Sequence, residues 1–297
     1  MVKATGQVRS QDKLQTLKRI YAVVEVVGVL GFILFSGWTL RAMKSVINIR
    51  ALQIEIFGQP IIAKAVFFIL LPMIIIKLKG QELREYGITF NNLSYHLKIG
   101  LKSFAIVILA DLAFPLVTFL GFSYIDCGGA LILSFSNVVA LVLVALLLRK
   151  EPTYQKQPGS GHRTLIFLLT FVALIILSAV TLPLGKQVGG FTFGLFTIGF
   201  GEEILFRGYI QSRLNRAFGK PFRIWGVRWG WSAVITAVFF GLVHYLHGSG
   251  TLWWGVWTTF AGLVFGFLRE KTGCIVAPAI AHGVPAAIVY VFMGGIN

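Results

Sequence analysis

Long apolar runs divided by short polar stretches dominate the chain. A helix needs about twenty apolar residues to cross a bilayer. Runs of that length predict helices near residues 20–40, 61–77, 103–122, 130–148, 164–184, 190–210, 231–247, 251–268 and 274–294. The expected fold is therefore an all-α polytopic membrane helix bundle of eight or nine spans. The first span follows a long polar tail and lacks the A-x-A exit of a signal peptide, so it reads as a retained helix. Residues 81–100 mix polar positions with Tyr86, Phe90 and Tyr95, which suits an interfacial amphipathic segment. Gln155 to Gly161 reads as an exposed linker. The chain then divides into a basic cytoplasmic tail (1–19), N-terminal transmembrane helices (20–160) and a motif-bearing intramembrane domain (161–297).

Composition agrees: 56% hydrophobic against 13% charged residues excludes a soluble globular class. The excess of 27 Lys and Arg over 11 Asp and Glu does not mark a nucleic-acid partner, because no basic stripe carries interleaved aromatics. The cations fall instead in alternate loops. Lys3, Arg9, Lys13, Lys18 and Arg19 precede the first span, and Lys77, Lys79, Arg84, Lys98 and Lys102 form the next set. Arg149, Lys150, Lys156 and Arg163 follow, then Arg213, Arg216, Lys220, Arg223 and Arg228, and finally Arg269 and Lys271. The positive-inside rule puts these loops and the N-terminus in the cytoplasm and the C-terminus outside. The stretch 41–60, with Arg41, Lys44 and Arg50, dissents. Anionic lipid headgroups are expected partners of the basic loops. Cys127 and Cys274 are too few and too far apart for a disulfide framework or a CxxC site and read as packing residues.

Against this background, ionisable groups inside apolar spans are functional-site candidates. Glu202, Glu203 and Arg207 lie in one run, His244 in FFGLVHY and His282 in PAIAHGV. Glu203 and Arg207 are one helical turn apart in the favourable acid-before-base order, whereas Glu202 is rotated by ~100° and points elsewhere. A buried carboxylate without a matching cation suits a general base; the alternative for Glu202 is a hydrogen bond to a neighbouring helix. Measured from the cytoplasmic ends, Glu202, His244 and His282 all fall near mid-bilayer and can converge. His247, at a helix end, reads as an interhelical hydrogen bond. Glu25 is placed to snorkel or meet Lys18, and Asp111, four residues before Pro115, reads as structural. Gly262 and Gly266 form a small-residue packing signal.

The ordered motifs EEILFR, FGLVH and AHGVPA resemble the CPBP membrane proteases, also called the Abi or CAAX-protease family, whose pattern is EExxxR, FxxxH and HxxxN. The matching positions are Glu202, Glu203 and Arg207, then Phe240 and His244, then His282, over about residues 165–294. The resemblance implies an endopeptidase acting on a membrane-associated peptide or lipidated CaaX-type protein, in a bacterial or archaeal plasma membrane. Glu202 and His244 would activate water and His282 would stabilise the oxyanion, with Glu203, Arg207 and Phe240 in support and no cofactor. Zinc held by Glu202, His244 and His282 is the minority alternative. Ala286 stands where the family has Asn or Asp. That departure is compatible with a slow protease, with a substitute donor such as Thr258 or Thr259, or with a member that no longer cuts. The competing class is a non-proteolytic membrane adaptor or a proton-coupled transporter.

Overall fold

In the computed structural model, residues 2–153, 162–180, 185–247 and 251–292 are described, with side chains from residue 13 onward except at His247. The helices are α1 Val2–Ala42, α2 Ile49–Phe57, α3 Ile61–Leu78, α4 Leu93–Asp111, α5 Ala113–Phe119 and α6 Cys127–Leu147. They continue as α7 His162–Val180, α8 Gly185–Phe218, α9 Trp231–His247, α10 Leu252–Thr272 and α11 Val276–Phe292. Six are long and apolar enough to cross a membrane, and α9 and α11 are shorter apolar helices. With α10, which closes on Arg269, Glu270 and Lys271, they account for the nine expected segments. The fold is an all-α polytopic bundle.

Burial identifies its centre. In α8, 78% of the most apolar window is buried, against 17% to 39% in the other five long spans. Most of α8 is π-helical, over Thr192–Glu202 and Ile204–Gln211. The wide i→i+5 turn is rare and is often found at functional sites. Here glycines bring α11 against it. A methyl group on Gly199 would lie 2.6 Å from the Gly283 Cα, and one on Gly190 would lie 2.6 Å from the Tyr290 carbonyl oxygen. Side chains at these positions would force the two helices apart. On the other flank of α8, Phe167 stacks on Phe90 at 4.5 Å and on Phe196 at 5.4 Å between ring centres.

Several boundaries differ from the sequence expectation. Helix α1 runs unbroken through the polar tail, α2 occupies the dissenting 41–60 stretch, and α4 begins ten residues before 103. Within 81–100, Tyr86 and Phe90 are buried in the core. Backbone hydrogen bonding explains why, since the Gly87 carbonyl accepts from Ile275 N at 3.0 Å and Cys274 Sγ lies 3.0 Å from the Thr89 carbonyl. The segment is thereby inserted against the α10–α11 turn, and burial pushes the Cys274 thiol up to about 11. Cys127 is exposed, so it is not a packing residue. The basic loop 213–228 contains a hairpin, β1 Phe222–Ile224 and β2 Val227–Trp229, closed by Trp225 and Gly226, both at positive φ. The expected linker at Gln155–Gly161 lies outside the described residues.

The basic loops gather at one end of the bundle. Lys102 and Lys98 reach Glu151 at 2.5 and 3.5 Å, and Arg216 reaches Glu85 at 3.0 Å. Glu25 does not meet Lys18; it pairs with Lys79 and, at 2.9 Å, with Arg213. Lys102 holds the Glu151 carboxyl below the usual carboxylate range. The helix is interrupted at Leu112, where the Pro115 ring and missing N–H disrupt bonding to the Asp111 carbonyl.

The glycine contact between α8 and α11 yields a stability prediction. Gly283→Val should cost about 1–3 kcal/mol through overpacking, seen as a lower melting temperature in detergent. Gly28→Val, at an exposed site with nothing within 4 Å, should leave melting unchanged. Equal melting of the two variants would show that the close approach does not matter.

Candidate functional site

The polar side chains of α8 project into the space between α3, α9, α10 and α11. Glu203 and Arg207 form a fully buried ion pair at 3.0 Å along α8. Arg207 also donates from Nη2 to the Gly262 carbonyl at 2.9 Å, and its guanidinium lies 4.5 Å from the centre of the Phe240 ring. That carbonyl is reachable because α10 is bare at Gly262, which packs on Ala237 of α9. The expected Gly262/Gly266 packing signal thus has a second use. Gly266 likewise offers its carbonyl to Gln211 Nε2 at 3.2 Å.

Glu203 has another partner, unforeseen from spacing along one helix: His282 Nδ1 lies 3.1 Å from Glu203 Oε1. The imidazole is stacked on Phe265 at 4.6 Å and 15°. With Nδ1 directed at Glu203, Nε2 faces Glu202 Oε2 at 3.9 Å, longer than a direct hydrogen bond. Glu202, 4% exposed, sends its other oxygen to Lys64 Nζ of α3 at 3.3 Å. Glu202 and Glu203 therefore pair with different cations, Lys64 and Arg207, as the rotation along the helix requires, and His282 lies beside both. His244 donates from Nδ1 to the Phe240 carbonyl at 2.8 Å, since a carbonyl can only accept. Its Nε2 is left as an acceptor in the neutral ring. The Phe240 ring lies between the two imidazoles, 4.5 Å from His244 and 5.9 Å from His282.

The structure thus brings together Glu202, Glu203, Arg207, Phe240, His244 and His282 from three helices. His247 has no described side chain. Thr258 and Thr259 direct their hydroxyls to helix carbonyls at 2.8 Å, Thr258 to Trp254 and Thr259 to Gly255. Asp111 leaves Oδ2 buried without a hydrogen bond among the described residues. Among those residues, no group of three His, Cys, Asp or Glu is placed to hold a metal ion.

Lys64 and Phe265 are the site neighbours that sequence reasoning missed. A signal for Lys64 was present: it is the lone charge in IIAKAVFFILLPMIII. Its position near the start of that run made it resemble a flanking charge.

A carboxylate and histidine cluster buried in a polytopic helical bundle places the chain among membrane proteins with a polar intramembrane site. Residues 184–288 match the family model described as type II CAAX prenyl endopeptidase Rce1-like. The match supports the resemblance to the CAAX-protease family and, as a general class, a CAAX-type intramembrane protease. It includes all six clustered residues and leaves out Lys64. No curated protein matches the chain, and no solved structure does.

The sealed pair gives a second prediction. Removing one partner of a buried ion pair costs about 3–5 kcal/mol, so Glu203→Gln and Arg207→Ala should each lower the melting temperature in detergent. Combining them should cost less than the sum, because the two groups share one interaction. Unchanged melting of both single variants would contradict the assignment.

Proposed function

We propose that the chain is an intramembrane endopeptidase that hydrolyses a membrane-associated peptide or a lipidated CaaX-type protein. The convergence of Glu202, His244 and His282 around the Glu203–Arg207 pair, inside the matched segment, carries this reading. Glu202 takes a proton from water, and the water oxygen attacks the scissile carbonyl carbon. His244, held in one tautomer by the Phe240 carbonyl, offers Nε2 as the second acceptor for the attacking water. The C–N bond then breaks and the leaving nitrogen takes the proton back. General acid–base assistance of this kind contributes about 10²- to 10⁴-fold.

Glu203 and Arg207 act as positioning residues: the carboxylate holds His282 by Nδ1, while the guanidinium fixes the carboxylate. His282 then presents Nε2 beside Glu202, where an oxyanion would develop. Lys64 is a further positioning group, balancing the Glu202 charge from α3. The basic end of the bundle is read as cytoplasmic, so substrate reaches the site from that side or laterally between helices. The adaptor and transporter alternatives gain no support from the family match.

Cleavage of a membrane-tethered reporter tests the mechanism. Glu202→Gln should abolish turnover while the protein still folds, and wild type dialysed against a strong chelator should keep its activity. Full cleavage by Glu202→Gln would sink the scheme. Loss of activity with removal of one equivalent of zinc would transfer the water to a metal.

Ala286 generates a separate expectation. It lies one turn beyond His282 and backs onto Gly194 of α8. An amide there adds a donor on the His282 side of α11, and one such donor is worth about 10²- to 10³-fold in other hydrolases. Pro285 lies inside this helix and removes a backbone donor one residue before Ala286, so Ala286→Asn should raise the reporter cleavage rate by the smaller factor of ~10-fold. No change in a fast wild type would mean that another group supplies the donor.

A further inference from the structure

At the basic end of the bundle, a pocket of about 350 Å³ is lined by Tyr21, Lys79, Gln81, Tyr86, Arg213 and Arg216. Two of its lining cations share Glu25, which accepts from Tyr209 at 2.6 Å and Arg213 Nε at 2.9 Å and pairs with Lys79. Each lining cation also packs on an aromatic ring: Lys79 and Arg213 on Tyr21, both at 5.5 Å, and Arg216 on Tyr86 at 4.2 Å. Donors remain after these contacts. Arg213 commits only Nε to Glu25, and Arg216 commits Nη2 to Glu85 at 3.0 Å.

Charge counting sets the ligand. Three cations face two carboxylates, Glu25 and Glu85, so the pocket keeps one excess positive charge. Guanidinium forks aligned by packing match phosphate oxygens geometrically. The surroundings indicate where that phosphate comes from. One to two turns deeper than Tyr21 on α1, Val24 and Val27 are at least half exposed, and Leu78 beside Lys79 is 83% exposed. In a bilayer these apolar side chains meet acyl chains below the cationic pocket.

We propose that this pocket binds a phosphate group, the phosphodiester of an anionic membrane lipid whose acyl chains lie along α1 and α3. The site is separate from the Glu202 cluster and does not depend on the protease reading.

Binding of phosphatidylglycerol to the full chain in mixed micelles tests it, with diacylglycerol as the phosphate-free counterpart and inorganic phosphate as the soluble one. A cation near a membrane surface contributes about five-fold in affinity, so Arg213→Gln/Arg216→Gln should weaken phosphatidylglycerol binding by roughly twenty-five-fold. Lys44→Gln/Arg50→Gln removes equal charge from exposed positions away from the basic end and should have little effect. Should the first pair fail to fold, Arg216→Gln alone, which leaves the Glu25 contacts intact, should still lose about five-fold. Inorganic phosphate that displaces the lipid and is lost in the same variant would support the phosphate site but assign it to a soluble ligand. Equal losses in the two double variants, or binding of diacylglycerol as tight as that of phosphatidylglycerol, would overturn the proposal.

Discussion

The arrangement depends on how Arg207 is satisfied. A guanidinium with no exposure is tolerable only with a counter-charge and well-placed acceptors. Arg207 has both: the Glu203 carboxylate on its own helix and the Gly262 carbonyl on α10. These contacts link α8 to α10, the Phe240 ring under the guanidinium adds α9, and the Glu203 bond to His282 adds α11. One cation thus ties four helices together in a medium that supplies no water to replace a lost partner. The motif spacing is explained by that requirement, with Arg207 one turn from Glu203 and Phe240 one turn from His244.

Close packing makes the tie possible. His282 reaches Glu203 because α11 approaches α8 through Gly199 and Gly283, with almost no side-chain volume between the backbones. In membranes, where lipid is as apolar as a leucine side chain, small residues at helix contacts are a main source of association. The π-helical turns of α8 carry the glutamates at the same level. Their weaker i→i+5 geometry is supported by burial on nearly all sides, which the other long spans lack.

Much of this was legible in the sequence. Each of the nine apolar runs falls on helix, one of them on two helices broken at Leu112, and the i,i+4 spacing of Glu203 and Arg207 predicted their ion pair. The depth count predicts that Glu202, His244 and His282 can converge, and Glu202 and His282 do lie side by side with the Phe240 ring next to His244 and His282. What could not be read was contact between helices. Periodicity along α8 says nothing of His282, so the second partner of Glu203 was invisible, and Lys64 resembled a boundary charge. Tyr86 and Phe90 sit in a mixed polar stretch, and their burial follows from contacts between Gly87 and Ile275 and between Thr89 and Cys274 that no periodicity reports. The hairpin at 222–229 was masked by its arginines, although Trp225-Gly226 between alternating apolar residues is a turn signal.

The two ion pairs of the site differ in a way that bears on their roles. Glu203 and Arg207 are both fully buried, and each holds a second contact that any rearrangement would break. Glu202 is bound through one oxygen to Lys64, whose side chain is 35% exposed and rests over the Phe193 and Phe68 rings. A flexible lysine at the margin can withdraw along its aliphatic stem at little cost, whereas a planar guanidinium held on two sides cannot. Adjacent glutamates of one motif are therefore set in opposite regimes, Glu203 fixed by its surroundings and Glu202 free to change partner. In the proposed mechanism that freedom falls on the carboxylate that meets the water and the rigidity on its neighbour, and the contact of α3 with α8 supplies the difference.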